Sequence, residues 1–147
     1  MLIGKSEIQS LIPHSGDMCL LASVTDWNTT HIACTAHSHC DPNNPLACGG
    51  KVPILCGIEF AAQAMAVHGG LTGMVGRRPR AGLLVSVRDV VASAQYLSDY
   101  TEDLQIEAEQ LMAGESSVTY SFSLHIRDAE LLSGRATVVL DADEANI

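Results

Sequence analysis

The strongest constraint on the fold is the stretch VPILCGIEFAAQAMAVHGG, residues 52–70, with the few residues after it. From Val52 to Gly76 the chain carries one formally charged side chain, Glu59. Pro53 suits the first turn of a helix, and Gly69-Gly70 suits its end. A helix that is apolar on nearly every side has to be enclosed by the rest of the chain. The run is also long enough to span a bilayer. Against a span stand Pro53, Glu59, Gln63, His68 and glycines at 57, 69, 70, 73 and 76, because a lone ionisable group without a partner is costly in lipid. The expectation is a buried helix of a soluble domain, with no membrane contact.

The other segments supply the enclosure. SEIQSLI (6–12) reads as a short helix, with Ser6 as N-cap, Ile8, Leu11 and Ile12 on one face, and a stop at Pro13. DMCLLASVTDW (17–27) and TTHIACTAHS (29–38) read as two strands joined by a turn at Asn28. HCDPNNPLACGG (39–50) is loop chemistry, dense in Asp, Asn, Pro and Gly. Beyond the helix, residues 81–97, 102–114, 116–128 and 131–141 read as four long strands. In the third of these, Val118, Tyr120, Phe122, Leu124 and Ile126 alternate with polar residues, so one face is wet and the other buried. A chain of 147 residues holds one core, so residues 1–147 form a single α+β domain. Its antiparallel sheet wraps around one long central α-helix.

Charge and cysteine content narrow the functional classes. The net charge of −9 argues against nucleic acid held through phosphate neutralisation. The basic residues are nonetheless clustered: Arg77, Arg78, Arg80 and Arg88 lie close together, and between Pro42 and Ser98 the only acids are Glu59 and Asp89. Five cysteines (19, 34, 40, 48, 56) match no disulfide framework, which points to a reducing, cytoplasmic compartment. The N-terminus lacks signal-peptide grammar. No GxSxG elbow, P-loop or GxGxxG occurs, so triad-hydrolase and nucleotide-binding readings have no support.

Glu59 and Gln63, four apart, share a helix face flanked by Gly57, Ala61, Ala62, Ala64 and Ala66. Two readings stand for Glu59. One is a partly exposed helix-start carboxylate favoured by the dipole. The other is a buried carboxyl kept neutral by desolvation and therefore a general acid. Free amides around residues 54–57 would suit a carbonyl oxygen that gains negative charge. His37 and His39, two apart at a strand end, could supply a base, or could be a pair of surface histidines. His37, His39, Cys40, Cys48 and Cys56 are of metal-ligand type, but their spacing fits no zinc pattern, and no metal is expected. His14 reads as part of a turn, and His31, His68 and His125 as ordinary surface or core residues.

LIPHSGDMCLLASV, a histidine-bearing strand end and VPILCGIEFAAQAMA together resemble the β-hydroxyacyl-(acyl carrier protein) dehydratases of the hot-dog fold, the FabZ/FabA-like group. With SHCDPNNPLACGG lengthening the loop, the chain looks like the divergent members attached to aryl-polyene clusters. The resemblance implies that Glu59 is the catalytic glutamate, Gln63 the glutamine supporting it, and His39 the catalytic histidine, with His37 as the alternative. Ile54 and Ser86 stand where the family has glycines beside the thioester; with Leu55 and Gln63 they are the expected substrate-binding positions. It implies a homodimer, or a heterodimer with a related dehydratase, each site taking histidine from one subunit and glutamate from the other. The substrate would be a 3-hydroxyacyl thioester on phosphopantetheine, with no further cofactor, delivered by an acyl carrier protein that could dock on Arg77, Arg78, Arg80 and Arg88. The expected activity is elimination of water to a trans-2-enoyl thioester in fatty-acid or polyene-type biosynthesis. Two other functions remain open: a non-catalytic partner subunit of a heteromeric dehydratase, and a hot-dog acyl thioesterase.

Overall fold

The computed structural model describes residues 3–12, 18–73, 82–114 and 116–140. Strand β1 (Ile3–Gly4) leads into helix α1 (Lys5–Leu11), followed by β2 (Ser23–Trp27) and β3 (His31–Ala36). The long helix α2 (Gly57–Gly73) then precedes β4 (Gly82–Ala92), β5 (Leu104–Ala113), β6 (Ser117–Ile126) and β7 (Ala129–Leu140). The seven strands form one antiparallel sheet in the order β1-β2-β3-β5-β6-β7-β4. Its inner face wraps α2, the hot-dog arrangement that the resemblance implies.

Period-two alternation builds that inner face. Val118, Tyr120, Phe122, Leu124 and Ile126 of β6 are all buried, as are Leu104, Ile106 and Ala108 of β5. Against them α2 sets Phe60, Ala61, Ala64, Met65, Val67 and His68, all buried. Burying a side chain such as Phe60 completely contributes roughly 1.5–3 kcal/mol. The segment Ile54–Thr72 is long and apolar enough, by length and composition, to cross a membrane, yet half of it is buried inside the domain. That burial is how a core helix satisfies its apolar surface.

Several boundaries differ from the sequence-based expectation. Ser6 is not the N-cap of α1: Gly4 is, and its N–H donates to Glu7 Oε1 (3.3 Å), so the chain passes from β1 directly into the helix. Gly69 and Gly70 do not end α2, which continues to Gly73. Gly70 instead lets α1 approach, because a Cβ there would lie 3.3 Å from Leu11 Cδ2. The strand expected over 17–27 is regular only from Ser23; Cys19, Leu20 and Leu21 are buried outside any strand. The strand expected over 81–97 ends at Ala92. After it, residues 95–98 pair with the strap before α2: Leu97 N–H donates to Val52 O (2.8 Å), and Ile54 N–H to Gln95 O (3.0 Å).

Strand β4 pairs with β7 on one side and has no neighbour on the other among the described residues. It carries exposed Val85, Val90 and Val91, and bulges where Asp89 adopts φ 57°. Pro13, His14, Arg77, Arg78 and Arg80 lie outside the described residues.

Candidate active site

His39 sits in a 3-10 turn, Ser38–Cys40, reached as soon as β3 ends. Its ring is fully buried, and neither Nδ1 nor Nε2 has a hydrogen-bond partner among the described residues. Burial lowers its pKa below the ordinary histidine value, so the neutral ring is favoured. The backbone carbonyls of Glu102 and Tyr100 oppose that shift, but they lie outside hydrogen-bonding geometry with the ring. His68 is the instructive contrast. Its Nε2 donates to the Asn28 carbonyl (2.9 Å), leaving Nδ1 to accept from Tyr120 Oη–H (2.8 Å). His68 is therefore a satisfied core residue. An unpaired buried polar atom costs about 1–3 kcal/mol, so the two on His39 call for a functional explanation.

His37 lies outside this buried environment. Its Nδ1 pairs with Asp103 Oδ1 at 2.8 Å, with both side chains more than half exposed, so the pair contributes little to stability. Cys40 donates its thiol to the His37 carbonyl, and all five cysteines are free. Among the described residues no three His, Cys, Asp or Glu side chains gather as a metal-ligand set.

Glu59 lies in the first turn of α2, where the helix dipole favours a carboxylate, and its side chain is exposed. Of the two readings for Glu59, the exposed helix-start carboxylate is the one that holds within a single chain. Smaller opposing effects on the His39 ring come from nearby His37, which lowers its pKa, and Asp103, which raises it. Gln63, one turn further along, is buried and engaged elsewhere. Its Oε1 accepts from Leu20 N–H (2.8 Å) and its Nε2 donates to Met18 O (2.7 Å), so its amide stands in for a strand partner along residues 18–20.

The amides before α2 are also more occupied than the sequence implies. Ile54 N–H is bound to Gln95 O, Cys56 N–H to Pro53 O (3.0 Å), and Gly57 N–H to Ile54 O. The Leu55 N–H alone has no acceptor among the described residues. The Ile54 side chain is buried and the Leu55 side chain is 57% exposed. Ser86 and Arg88 are exposed on β4, at the free edge of the sheet. A groove of about 400 Å³ lies on the opposite, outer face, lined by His31, Glu107, Ser121 and Arg135 among others, and none of the expected site residues reaches it.

Two side chains in the loop went unremarked in the sequence. Ser38 Oγ–H donates to Leu20 O (2.8 Å), and buried Asn44 donates from Nδ2 to Ser38 O (2.7 Å). Their neighbours, DPNNP, read only as turn formers, and no local pattern marks a side chain that braces a distant backbone.

No curated protein sequence matches the chain. Among solved structures, it is similar to the dehydratase heterocomplex ApeI:P from Xenorhabdus doucetiae, with TM-score 0.80 and 20% identity over 95% of this chain and 96% of that one. It is also similar to a hypothetical thioesterase with coenzyme A from Streptococcus pneumoniae, with TM-score 0.58 and 12% identity over 80% and 83% of the two chains. A thioesterase from Haemophilus influenzae gives TM-score 0.59 and 9% identity over 80% and 76%. At these identities the likeness establishes a shared hot-dog fold. The family is given by sequence: residues 6–147 match the ApeP-like family, described as ApeP dehydratase. The lone carboxyl at the start of an enclosed helix, the unpaired buried imidazole and this match over nearly the whole length make the chain a member of the ApeP-like dehydratase family.

Proposed function

We propose that the chain is one subunit of a dehydratase whose active sites are completed across a subunit boundary, acting on 3-hydroxyacyl thioesters carried on an acyl carrier protein in polyene-type or fatty-acid biosynthesis. The observation carrying this reading is the division of the acid–base pair within one chain. His39 is buried with both nitrogens free, whereas Glu59 is exposed and forms no hydrogen bond to that ring. A second subunit, bringing its own glutamate to this His39, would complete a site. The free edge of β4, with exposed Val85, Val90 and Val91, supports such an assembly. The heteromeric ApeI:P complex favours a related dehydratase as the second subunit over a second copy of this chain.

In that site the neutral His39 takes the proton from C2. The thioester carbonyl, gaining negative charge, is held by the Leu55 N–H, the one amide of its turn left unengaged among the described residues. A glutamic acid in the position of Glu59 donates its proton as the C3–O bond breaks, releasing water and leaving a trans-2-enoyl thioester. Exposed Arg88 would form part of the docking surface for the acidic carrier protein. The five free thiols support a reducing, cytoplasmic setting.

The test is hydration of an enoyl thioester by the purified chain, alone and mixed with a partner dehydratase subunit. His39→Ala and Glu59→Gln should each lower turnover at the sites they serve by about 10²–10⁴-fold without changing the fold. Near-wild-type turnover in both variants removes the mechanism. Release of free thiol without enoyl formation would make the chain a thioesterase instead.

A further inference from the structure

We propose that Ser38 and Asn44 are positioning residues for the His39 imidazole, holding its turn against helix α2 through the backbone at Leu20. The inference rests on the reading of His39 as the base. A catalytic imidazole is usually oriented by a hydrogen bond on the ring nitrogen that does not take the proton. His39 has no such bond among the described residues, since neither nitrogen is paired. Its placement must come from packing and from the backbone on either side.

The bonds around the turn form one continuous chain. Gln63 Oε1 accepts from Leu20 N–H, and Leu20 O accepts from Ser38 Oγ–H, at 2.8 Å each. Ser38 O in turn accepts from Asn44 Nδ2 at 2.7 Å. The Oδ1 of the same Asn44 amide accepts from Leu46 N–H (2.8 Å), and its backbone N–H donates to Asp41 O (3.0 Å). Asn44 is 5% exposed, so its own amide is shielded from competing water. The residue before His39 is thus tied to the helix that carries Glu59, and the long loop beyond it is folded back onto the same turn. The exposed His37–Asp103 pair flanks the turn but is screened by solvent.

The experiment compares Ser38→Ala, Ser38→Thr and Asn44→Ala in the full chain, mixed with its partner subunit where the wild type requires one. A misplacement of about 1 Å costs on the order of 100-fold in rate. Ser38→Ala and Asn44→Ala should therefore lower kcat by about 10–100-fold with KM for the thioester changed less than about twofold. Ser38→Thr, which keeps the hydroxyl, should recover most of the loss. With the brace gone water reaches the ring, so its pKa rises toward the ordinary histidine value. The acid limb of the pH–rate profile, and the ring's own NMR titration, should then move to higher pH. Folded variants that keep wild-type kcat and an unmoved His39 titration overturn the proposal. A wild-type complex with no dehydratase activity overturns the functional reading instead, and the NMR titration still decides whether the brace holds the ring.

Discussion

The substitution Gln63→Ala gives the most direct stability test of the site's architecture. In the wild type one amide serves two backbone groups, accepting from Leu20 N–H at 2.8 Å and donating to Met18 O at 2.7 Å. Leu20 is buried, so its orphaned N–H should cost about 1–3 kcal/mol. Loss of the second bond, on the exposed side at Met18, adds roughly 1 kcal/mol. The expected destabilisation is about 2–4 kcal/mol. For a chain of this length that corresponds to a fall in Tm of roughly 6–12 °C. Urea denaturation at fixed protein concentration should show a lower midpoint with unchanged slope. The companion Gln63→Glu keeps the acceptor for Leu20 but sets an oxygen against Met18 O, and should lose part of the same stability. A Gln63→Ala protein within about 0.5 kcal/mol of wild type would refute the claim that this amide ties residues 18–20 to α2, because the cost follows from the buried orphan alone.

Three further outcomes are expected. Gly57→Ala places a Cβ 2.8 Å from both Leu124 Cδ2 and Leu132 Cδ2; overpacking outweighs the gain in helix propensity, for a net loss of about 1–2 kcal/mol in calorimetry. Burial lowers the pKa of His39 and His68, so below pH 6.5 the unfolded chain binds protons that the native rings resist. Stability should fall on acidification from pH 7 to pH 5 by at most about 1.4 kcal/mol per pH unit for each ring, and His68→Phe should flatten the slope. Tyr120→Phe removes the hydroxyl that donates to His68 Nδ1, and should cost about 1–2 kcal/mol by chemical denaturation while leaving kcat unchanged.

Much of the architecture could be read from the sequence, because the signals were local and periodic. The alternation from Val118 to Ile126 fixed one face of β6, and the nearly uncharged run after Val52 required an enclosing sheet. Where long-range contacts set the outcome, the sequence misled. Gly69 and Gly70 carry the chemistry of a helix end, but packing of α1 against Gly70 carries α2 onward. Cys19-Leu20-Leu21 has the composition of a strand, but a glutamine amide occupies the place of the neighbouring strand. At the site, Glu59 is legible as a lone charge, and only the family resemblance sets His39 ahead of His37. Only the fold separates a ring sealed inside the domain from one paired with Asp103 at its surface. Ser38 and Asn44 left no trace, since their partners lie at backbone atoms that no residue type encodes.

The bulged outer edge formed by Gly82–Ala92 has a consequence for how such a protein is made. Among the described residues its outer row of peptide groups is unclaimed, and three valines face water. Until another strand docks there, that row can recruit any extended polypeptide, including nascent copies of itself. Synthesis in step with a cognate subunit, in matched amounts, then becomes a condition for solubility, and overproduction of this chain alone should drive it into inclusion bodies.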